Sequence, residues 1–190
     1  RKIPVGISPT TAGKPKRRLP VREMKRGGGD VMLNQRLRQF LGTKGVKYDV
    51  IPHPPRFTSQ EIAAVEHVPG DRMAKVVMVE ADGKSVMLVL PATRTVDLLK
   101  LGDLLGASVV RVEEEKEFAP FFPDCEPGAM PPFGQLYGLP CYVDESLLAR
   151  DEIFFNGGTH GDSVKIDTRD FVRIAGAKTG DFGAPAHAWH

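Results

Sequence analysis

The chain has 190 residues, 41% of them hydrophobic, and a formal net charge of +2 from 26 Lys/Arg and 24 Asp/Glu. This composition is typical of a globular protein with a full core, and no apolar run approaches the roughly 18 to 20 residues that a membrane-spanning helix needs. The basic start lacks the apolar segment of a secretory signal, so we expect a cytoplasmic protein.

The charge is distributed unevenly along the chain. Nine of the 26 basic residues but only two of the 24 acidic ones lie in residues 1–31, so the remaining 17 basic and 22 acidic residues carry a net charge of −5. The segment "KRGGGD" then marks a flexible boundary. We predict a basic flexible N-terminal extension over residues 1–31, one folded domain over 32–176 and a C-terminal tail over 177–190.

The first half of the domain shows clear local signals. "LNQRLRQFL" has apolar residues at helical spacing, and "VKYDVI" is typical of a strand that the following "HPP" stops. Thr58 and Glu61 form a capping box, which predicts a helix from there to about His67. "AKVVMVE" and "SVMLVLPA" flank an Asp-Gly turn and predict a hairpin.

The second half is more varied. "TVDLLKLGDLLG" predicts a helix with Val96 on its apolar face, "SVVRV" a strand and "EEEKEFAPFF" a short acidic helix. After the loop "GAMPPFGQLYGLP" we expect strands at "CYVD", "EIFFNGG" and "DSVKID", a helical turn at "ESLLAR" and a final helix at "TRDFVRIA". Helices and strands do not alternate strictly, so the predicted fold is α+β, with a central mixed, largely antiparallel sheet and surrounding helices.

Several familiar kinds of active site are excluded by pattern. No G-x-S-x-G is present, the glycines of "NGGTHG" do not match a phosphate-binding loop, and the histidines lack metal-binding spacing. The two cysteines, Cys125 and Cys141, are not in a C-x-x-C motif, which favours a reducing compartment. We therefore expect no metal and no cofactor.

Three features remain as candidates, each with an ordinary structural explanation. Lys75 opens the most apolar strand, where its ammonium either reaches the surface or meets an anion, because an unpaired buried charge is costly. The loop glycines either point backbone N–H groups at one oxygen of a ligand or form a rigid turn; they are Gly128, Gly134 and Gly138. His160 lies in a glycine loop after a strand, where a histidine without a role is the default.

The order of these segments is more specific than any one of them. "HPPRFTSQEIA", "AKVVMV", "VMLVLPATRTVDLLKLGDLLGA", "GAMPPFGQLYGLPCYVD", "FFNGGTHGDSVKI" and "DFVRI" together resemble the YbaK/ProX family, the prolyl-tRNA-synthetase-associated domain. The resemblance runs from about Leu33 to Ala175. It implies the same α+β fold and an aminoacyl-tRNA deacylase, which hydrolyses in trans the ester between a wrong amino acid and the terminal adenosine of tRNA.

The resemblance also implies the site. Lys75, Gly128 and Gly134 take catalytic roles, with Lys75 near the terminal phosphate or ribose and the glycine N–H groups at the developing oxyanion. The implied substrate-binding residues are His53, Ala129, Met130, Pro131, Pro132, Phe133, Asn156, Gly157, Gly158 and His160. Met130 to Phe133 form the expected wall that sets the size of the pocket.

An activated ester needs positioned water and a stabilised oxyanion rather than a covalent nucleophile, which explains the missing triad. We expect a small cleaved residue such as alanine or serine, with proline and cysteine left open, because a second pocket corrects errors that a synthetase cannot reject by size alone. The expected partners are the acceptor end of aminoacyl-tRNA and a synthetase or elongation factor that compensates for the acidic body.

Two other readings remain open. A non-catalytic module with the same pocket would bind an amino acid or a tRNA end and act with a partner. A protein that binds nucleic acid through the basic N-terminal extension is the weaker hypothesis, since the rest of the chain is acidic.

Overall fold

The computed structural model describes residues 33–56, 58–65 and 67–186. The predicted extension over residues 1–31 lies outside them. Within the described part, no helix has the length and apolarity needed to cross a bilayer.

The described residues include six α-helices, ten strands and two short 3-10 helices, Ala119–Phe121 and Gly134–Leu136. The helices are α1 (Gln35–Lys44), α2 (Ser59–Val65), α3 (Leu98–Leu105), α4 (Glu115–Phe118), α5 (Glu145–Leu148) and α6 (Thr168–Ala175). The strands are β1 (Tyr48–Pro52), β2 (Ala74–Ala81), β3 (Lys84–Pro91), β4 (Arg94–Val96), β5 (Val110–Val112), β6 (Cys141–Asp144), β7 (Glu152–Asn156), β8 (Asp162–Asp167), β9 (Lys178–Gly180) and β10 (Gly183–Pro185). The fold contains helices together with sheets in which some strand pairs are parallel and others antiparallel. This confirms the predicted α+β class.

A five-stranded mixed sheet is built around the β2–β3 hairpin, in the order β5-β2-β3-β6-β9. The hairpin turns at Asp82 and Gly83, whose φ angles of 47° and 80° are the positive values that an Asp-Gly turn supplies. β5 and β3 lie antiparallel to β2, whereas β6 and β9 are added in parallel. The predicted hairpin and the mixed sheet are therefore both present.

A smaller antiparallel sheet, β1-β8-β7, meets the end of β2. Met73 forms a parallel bridge with Phe154, and the N–H of Phe154 donates to the carbonyl of Arg72 over 2.9 Å. The two sheets thus meet edge to edge just before β2 begins.

The largest core lies on one face of this smaller sheet. Phe133 is fully buried there, with ring centroids 5.1 Å from Phe40, 5.5 Å from Phe155 and 5.4 Å from Phe171. Side chains alternate along a strand, so Phe155 points into this core while Phe154 and Asn156 point to the opposite face. On that opposite face, Phe154 packs in a separate small apolar cluster that includes Ile62, Met73 and Ala92.

Two predicted boundaries are corrected. Val96 lies in β4, which pairs with β10, and the helix starts later because the Asp97 side chain accepts from the N–H groups of Leu99 and Lys100. The predicted tail over 177–190 contributes β9 and β10 within its described residues. Short three-residue strands give little periodic signal, which explains why the sequence pattern missed them.

Asp144 holds this C-terminal segment in place. Its side chain is 1% exposed and accepts hydrogen bonds from the N–H groups of Gly183 (2.6 Å), Phe182 (3.2 Å) and Ser146 (3.1 Å). The guanidinium of Arg94 lies 3.8 Å away and donates to the carbonyl of Gly183. A buried carboxylate with several donors is stabilising only while those donors are present.

Replacing Asp144 with alanine should lower the free energy of unfolding by about 3 kcal/mol or more, because buried backbone N–H groups and the Arg94 charge lose their acceptor. Urea unfolding followed by circular dichroism measures the change. Asp181→Ala removes the carboxylate of an exposed ion pair with Lys100 and serves as the control, with a much smaller expected effect. Equal effects of the two substitutions would contradict the proposed anchoring.

Candidate functional site

Three loops that are distant in sequence lie side by side at one end of the smaller sheet. The N–H of His53 donates to the carbonyl of Gly161 over 2.9 Å, and the N–H of Arg56 donates to the carbonyl of His160 over 3.1 Å. The loop after β1 is therefore joined along its length to the loop between β7 and β8.

The loop over residues 126–129 joins this pair from the other side. Glu126 N–H donates to Gly158 O over 2.9 Å, and Gly158 N–H donates to Ala129 O over 3.0 Å. The Glu126 carboxylate accepts from the N–H of His160, whose ring Nε2 lies 2.8 Å from the carbonyl oxygen of Pro127. These two contacts of His160 tie the two loops together. His160 is only 9% exposed, so it is not an isolated surface residue.

Gly157 and Gly158 allow α1 to approach these loops. An added Cβ would lie 2.6 Å from a methyl carbon of Leu33 at Gly157 and 2.6 Å from the Asn34 Cβ at Gly158, and Gly158 has a φ of 101°. Asn34 caps α1 and its N–H donates to the carbonyl of Gly157 over 2.9 Å. Close packing therefore accounts for both glycines without a ligand.

Polar side chains occupy the face of the small sheet opposite the aromatic core. Asn156 and Ser163 are direct partners across β7 and β8, and Ile51 of β1 completes the row. Asn156 is 5% exposed; its Nδ2 donates to the carbonyl of Gly128 over 3.3 Å, whereas its Oδ1 is buried without a hydrogen-bond partner. Ser163 is fully buried, with Oγ 3.1 Å from His53 Nε2.

Lys75 lies near the start of β2 and is half-buried. Its Nζ is 3.5 Å from the carbonyl oxygen of Ala92, which also accepts from Nε2 of Gln60 in α2 over 3.2 Å. Burial lowers the pKa of Lys75 below its ordinary value, because the charged form loses hydration. A partly desolvated cation held by a carbonyl oxygen is well suited to meet an anion.

The bridge between the sheets brings Lys75 and Asn156 to the same region. Met73 pairs with Phe154 in parallel, and Lys75 and Asn156 each follow two residues later on the same strand faces. Between them lies the small apolar cluster over which α2 packs. Its buried members are Ile62, Ala63, Met73, Ala92 and Phe154.

The structure places part of the predicted pocket wall elsewhere. Phe133 and Met130 belong to the large aromatic core, on the opposite side of the small sheet from Asn156. Pro131 and Pro132 are buried as well. Gly134 starts a tight turn in which a Cβ would lie 2.6 Å from the carbonyl oxygen of Leu139, so close packing explains this glycine.

Gly128 and Ala129 are the loop residues that reach the three-loop cluster. Gly128 has a φ of 81°, and its carbonyl holds the Asn156 amide. Among the described residues, its N–H has no acceptor. A free backbone N–H beside a buried amide is a suitable donor for an oxyanion.

Sequence reasoning missed Gln60, Ser163 and Glu126. Gln60 lies one residue before the Glu61 of the capping box, and Ser163 occupies an inward position of β8. The sequence therefore predicts the helix and the strand that contain them, but no motif predicts that they contribute to the site. Among the described residues, no group of His, Cys, Asp and Glu side chains is arranged to hold a metal ion.

The chain is similar to known proteins over most of its length. The sequence profile of the aminoacyl-tRNA editing domain matches residues 53–174, well over half of the chain. The multifunctional Ser/Thr-tRNA deacylase ProXp-y of Escherichia coli K12 is 29% identical over 161 residues, which cover 80% of this chain and 92% of that protein.

Two solved structures share the fold. The hypothetical protein APE2540 superposes with a TM-score of 0.72 at 21% identity, covering 79% of this chain and 100% of its own. A candidate trans-editing enzyme for prolyl-tRNA synthetase gives 0.69 at 23% identity, with 80% and 96% covered. The predicted family is confirmed: the chain belongs to the aminoacyl-tRNA editing domain family, and it is an aminoacyl-tRNA deacylase.

Proposed function

We propose that the chain removes small hydroxyl-bearing residues, serine and threonine, from mischarged tRNA, at a site between Lys75 and Asn156. The unpartnered Oδ1 of Asn156 carries this proposal, because a buried acceptor without a donor is costly unless a ligand supplies one. A serine or threonine hydroxyl is such a donor. The Ser/Thr specificity in the name of the E. coli relative supports the same substrate class.

The proposed site is mixed in character. Met73, Ala92 and Phe154 supply an apolar floor, and Asn156 with Ser163 supplies the polar side. A pocket that hydrogen-bonds a substrate hydroxyl discriminates strongly against an analogue without it, since its own polar group is then left unpaired. Alanine is therefore a poorer proposed substrate than serine.

Lys75 and Gly128 are the proposed catalytic groups. The ammonium of Lys75 neutralises the terminal phosphate or donates to the ribose of the terminal adenosine. The N–H of Gly128, which has no acceptor among the described residues, donates to the ester oxygen as negative charge develops. Water then attacks an ester that is already activated. No covalent intermediate is required.

The tRNA acceptor end is the macromolecular substrate, and we propose that a synthetase or another tRNA-binding protein delivers it. Residues 32–190 carry a net charge of −5, whereas free-standing RNA-binding surfaces are usually basic. Arg56 and Arg72 border the site and have no carboxylate partner among the described residues, so they supply only a local positive patch.

A panel of charged tRNAs tests the proposed function. Wild-type protein should hydrolyse seryl- and threonyl-tRNA faster than alanyl-, cysteinyl- and prolyl-tRNA, measured by loss of the labelled ester over time. Absence of hydrolysis of every ester by folded protein would instead favour a non-catalytic binding module.

Lys75→Ala should lower kcat/KM for seryl-tRNA by about 100-fold, which is the size of the effect of removing one preorganised charge-stabilising donor. Lys75→Arg keeps the charge and should retain much more activity. Lys100→Ala removes an exposed lysine in an ion pair with Asp181 and is the matched control, with unchanged activity expected. If Lys75→Ala and Lys100→Ala behave alike, Lys75 has no catalytic role.

Asn156→Leu should reduce seryl-tRNA hydrolysis by about tenfold or more and narrow the difference between seryl- and alanyl-tRNA, because the hydroxyl loses its acceptor. Asn156→Asp keeps an acceptor but loses the donor to Gly128, so it separates recognition from loop anchoring. It should retain the preference for serine. An unchanged serine-to-alanine ratio in Asn156→Leu would remove Asn156 from substrate recognition.

A further inference from the structure

His160 holds one particular peptide of the loop over residues 126–129. Its ring Nε2 lies 2.8 Å from the carbonyl oxygen of Pro127, and its backbone N–H donates to the carboxylate of Glu126. A carbonyl oxygen can only accept, so Nε2 carries the proton and donates. Because His160 is only 9% exposed, the surrounding protein keeps this donor in place.

The loop forms a tight turn for which two forms exist. The N–H of Ala129 donates to the carbonyl of Glu126 over 3.0 Å, which closes a four-residue β-turn with Pro127 and Gly128 at its centre. Gly128 has a φ of 81°, as in a type II turn, whereas a type I turn has a negative φ at this position. Proline suits the first central position of both types, and glycine can adopt either φ at the second. The residues of the turn therefore permit both forms.

The two forms differ in the direction of the central peptide, which joins Pro127 to Gly128. One form converts to the other mainly by rotation of this peptide through roughly half a turn. In a trans peptide the C=O and the N–H point in opposite directions, and the described residues contain no cis peptide bond. Rotation would therefore bring the carbonyl oxygen of Pro127 to the side where the N–H of Gly128 now points.

The other hydrogen bonds of the loop do not select between the two forms. Backbone bonds with Gly158 hold the ends of the turn: its carbonyl accepts from Glu126 N–H over 2.9 Å, and its N–H donates to Ala129 O over 3.0 Å. The amide of Asn156 donates to the carbonyl of the peptide that follows the central one. Among the described residues, the contact with His160 is the one hydrogen bond that the central peptide makes.

We propose that His160 is a positioning residue for the deacylase reaction: its Nε2–H holds the carbonyl of Pro127 and thereby keeps the N–H of Gly128 directed at the developing oxyanion. In the rotated form a carbonyl oxygen would face that negative charge, which is unfavourable. His160 acts here through Gly128, in contrast to the substrate contact that the family resemblance implies. The inference rests on the role proposed above for Gly128 and adds the side chain that maintains it.

Two amide substitutions separate the ring donor from the rest of His160. The Nε2 of a glutamine can reach the position of the imidazole Nε2, whereas the shorter asparagine ends near the position of Nδ1 and leaves the carbonyl of Pro127 without its donor. The backbone bond to Glu126 is available in both variants. His160→Gln should therefore keep the type II turn, and His160→Asn should allow the central peptide to rotate.

His67→Asn makes the same change at an exposed histidine and is the matched control. His67 has a φ of 53°, a left-handed conformation in which asparagine is common. This substitution should change neither the turn nor the activity.

The nuclear Overhauser effect between Pro127 Hα and the Gly128 N–H reports the type of turn without any substrate, because these protons are closer in type II than in type I. It should be strong in the wild type, in His160→Gln and in the control, and weak in His160→Asn. Kinetics with seryl-tRNA give the second measurement. The kcat of His160→Asn should fall by about tenfold or more with little change in KM, since an oxyanion donor acts as charge develops in the transition state.

A weak Overhauser effect in folded wild-type protein would overturn the proposal, and so would an unchanged effect and an unchanged kcat in His160→Asn. A loss of kcat with the type II turn intact would also overturn it, because His160 would then act in another way. If His160→Asn does not fold, the wild-type Overhauser effect and the retained kcat of His160→Gln still decide the question.

Failure of the deacylase function has a different signature. Wild-type protein would then leave seryl-tRNA intact, while the Overhauser effect would still report whether His160 holds the turn in its type II form.

Discussion

Met73 and Phe154 pair where the two sheets meet, and the Phe154 N–H donates to the carbonyl of Arg72 just beside them. The candidate site depends on this contact, because β2 supplies Lys75 and β7 supplies Asn156 from different sheets. Strand alternation then sends Phe155 into the aromatic core and Asn156 to the opposite face. One backbone contact therefore joins the two strands that carry these polar groups.

The glycines of the family motifs divide into two physical roles. Gly134, Gly157 and Gly158 stand where a Cβ would lie under 3.0 Å from a neighbouring atom, so they allow close packing of the loops and of α1. Gly128 has a φ of 81° and holds Asn156 through its carbonyl. Chemistry is thus concentrated in few side chains, while most of the motif maintains the path of the backbone.

Strong local signals predicted most of the fold. The capping box of Thr58 and Glu61 and the Asp-Gly hairpin are both present, because each depends only on neighbouring residues. Packing across the fold was harder to predict. The family resemblance implies a pocket wall at Phe133, but its ring lies among three aromatic rings distant in sequence. Gln60 and Lys75 both donate to the carbonyl oxygen of Ala92, which is distant from each of them in sequence. No spacing of residues along the chain predicts this shared acceptor.

β9 and β10 complete sheets whose other strands come much earlier in the chain. β10 pairs with β4, and the carbonyl of Gly183 accepts from Arg94 while its N–H donates to Asp144. On the ribosome, β4 and Asp144 emerge before these partners exist. This part of the fold can therefore form only after residue 185 has left the exit tunnel, so a nascent chain lacks it until that point of synthesis.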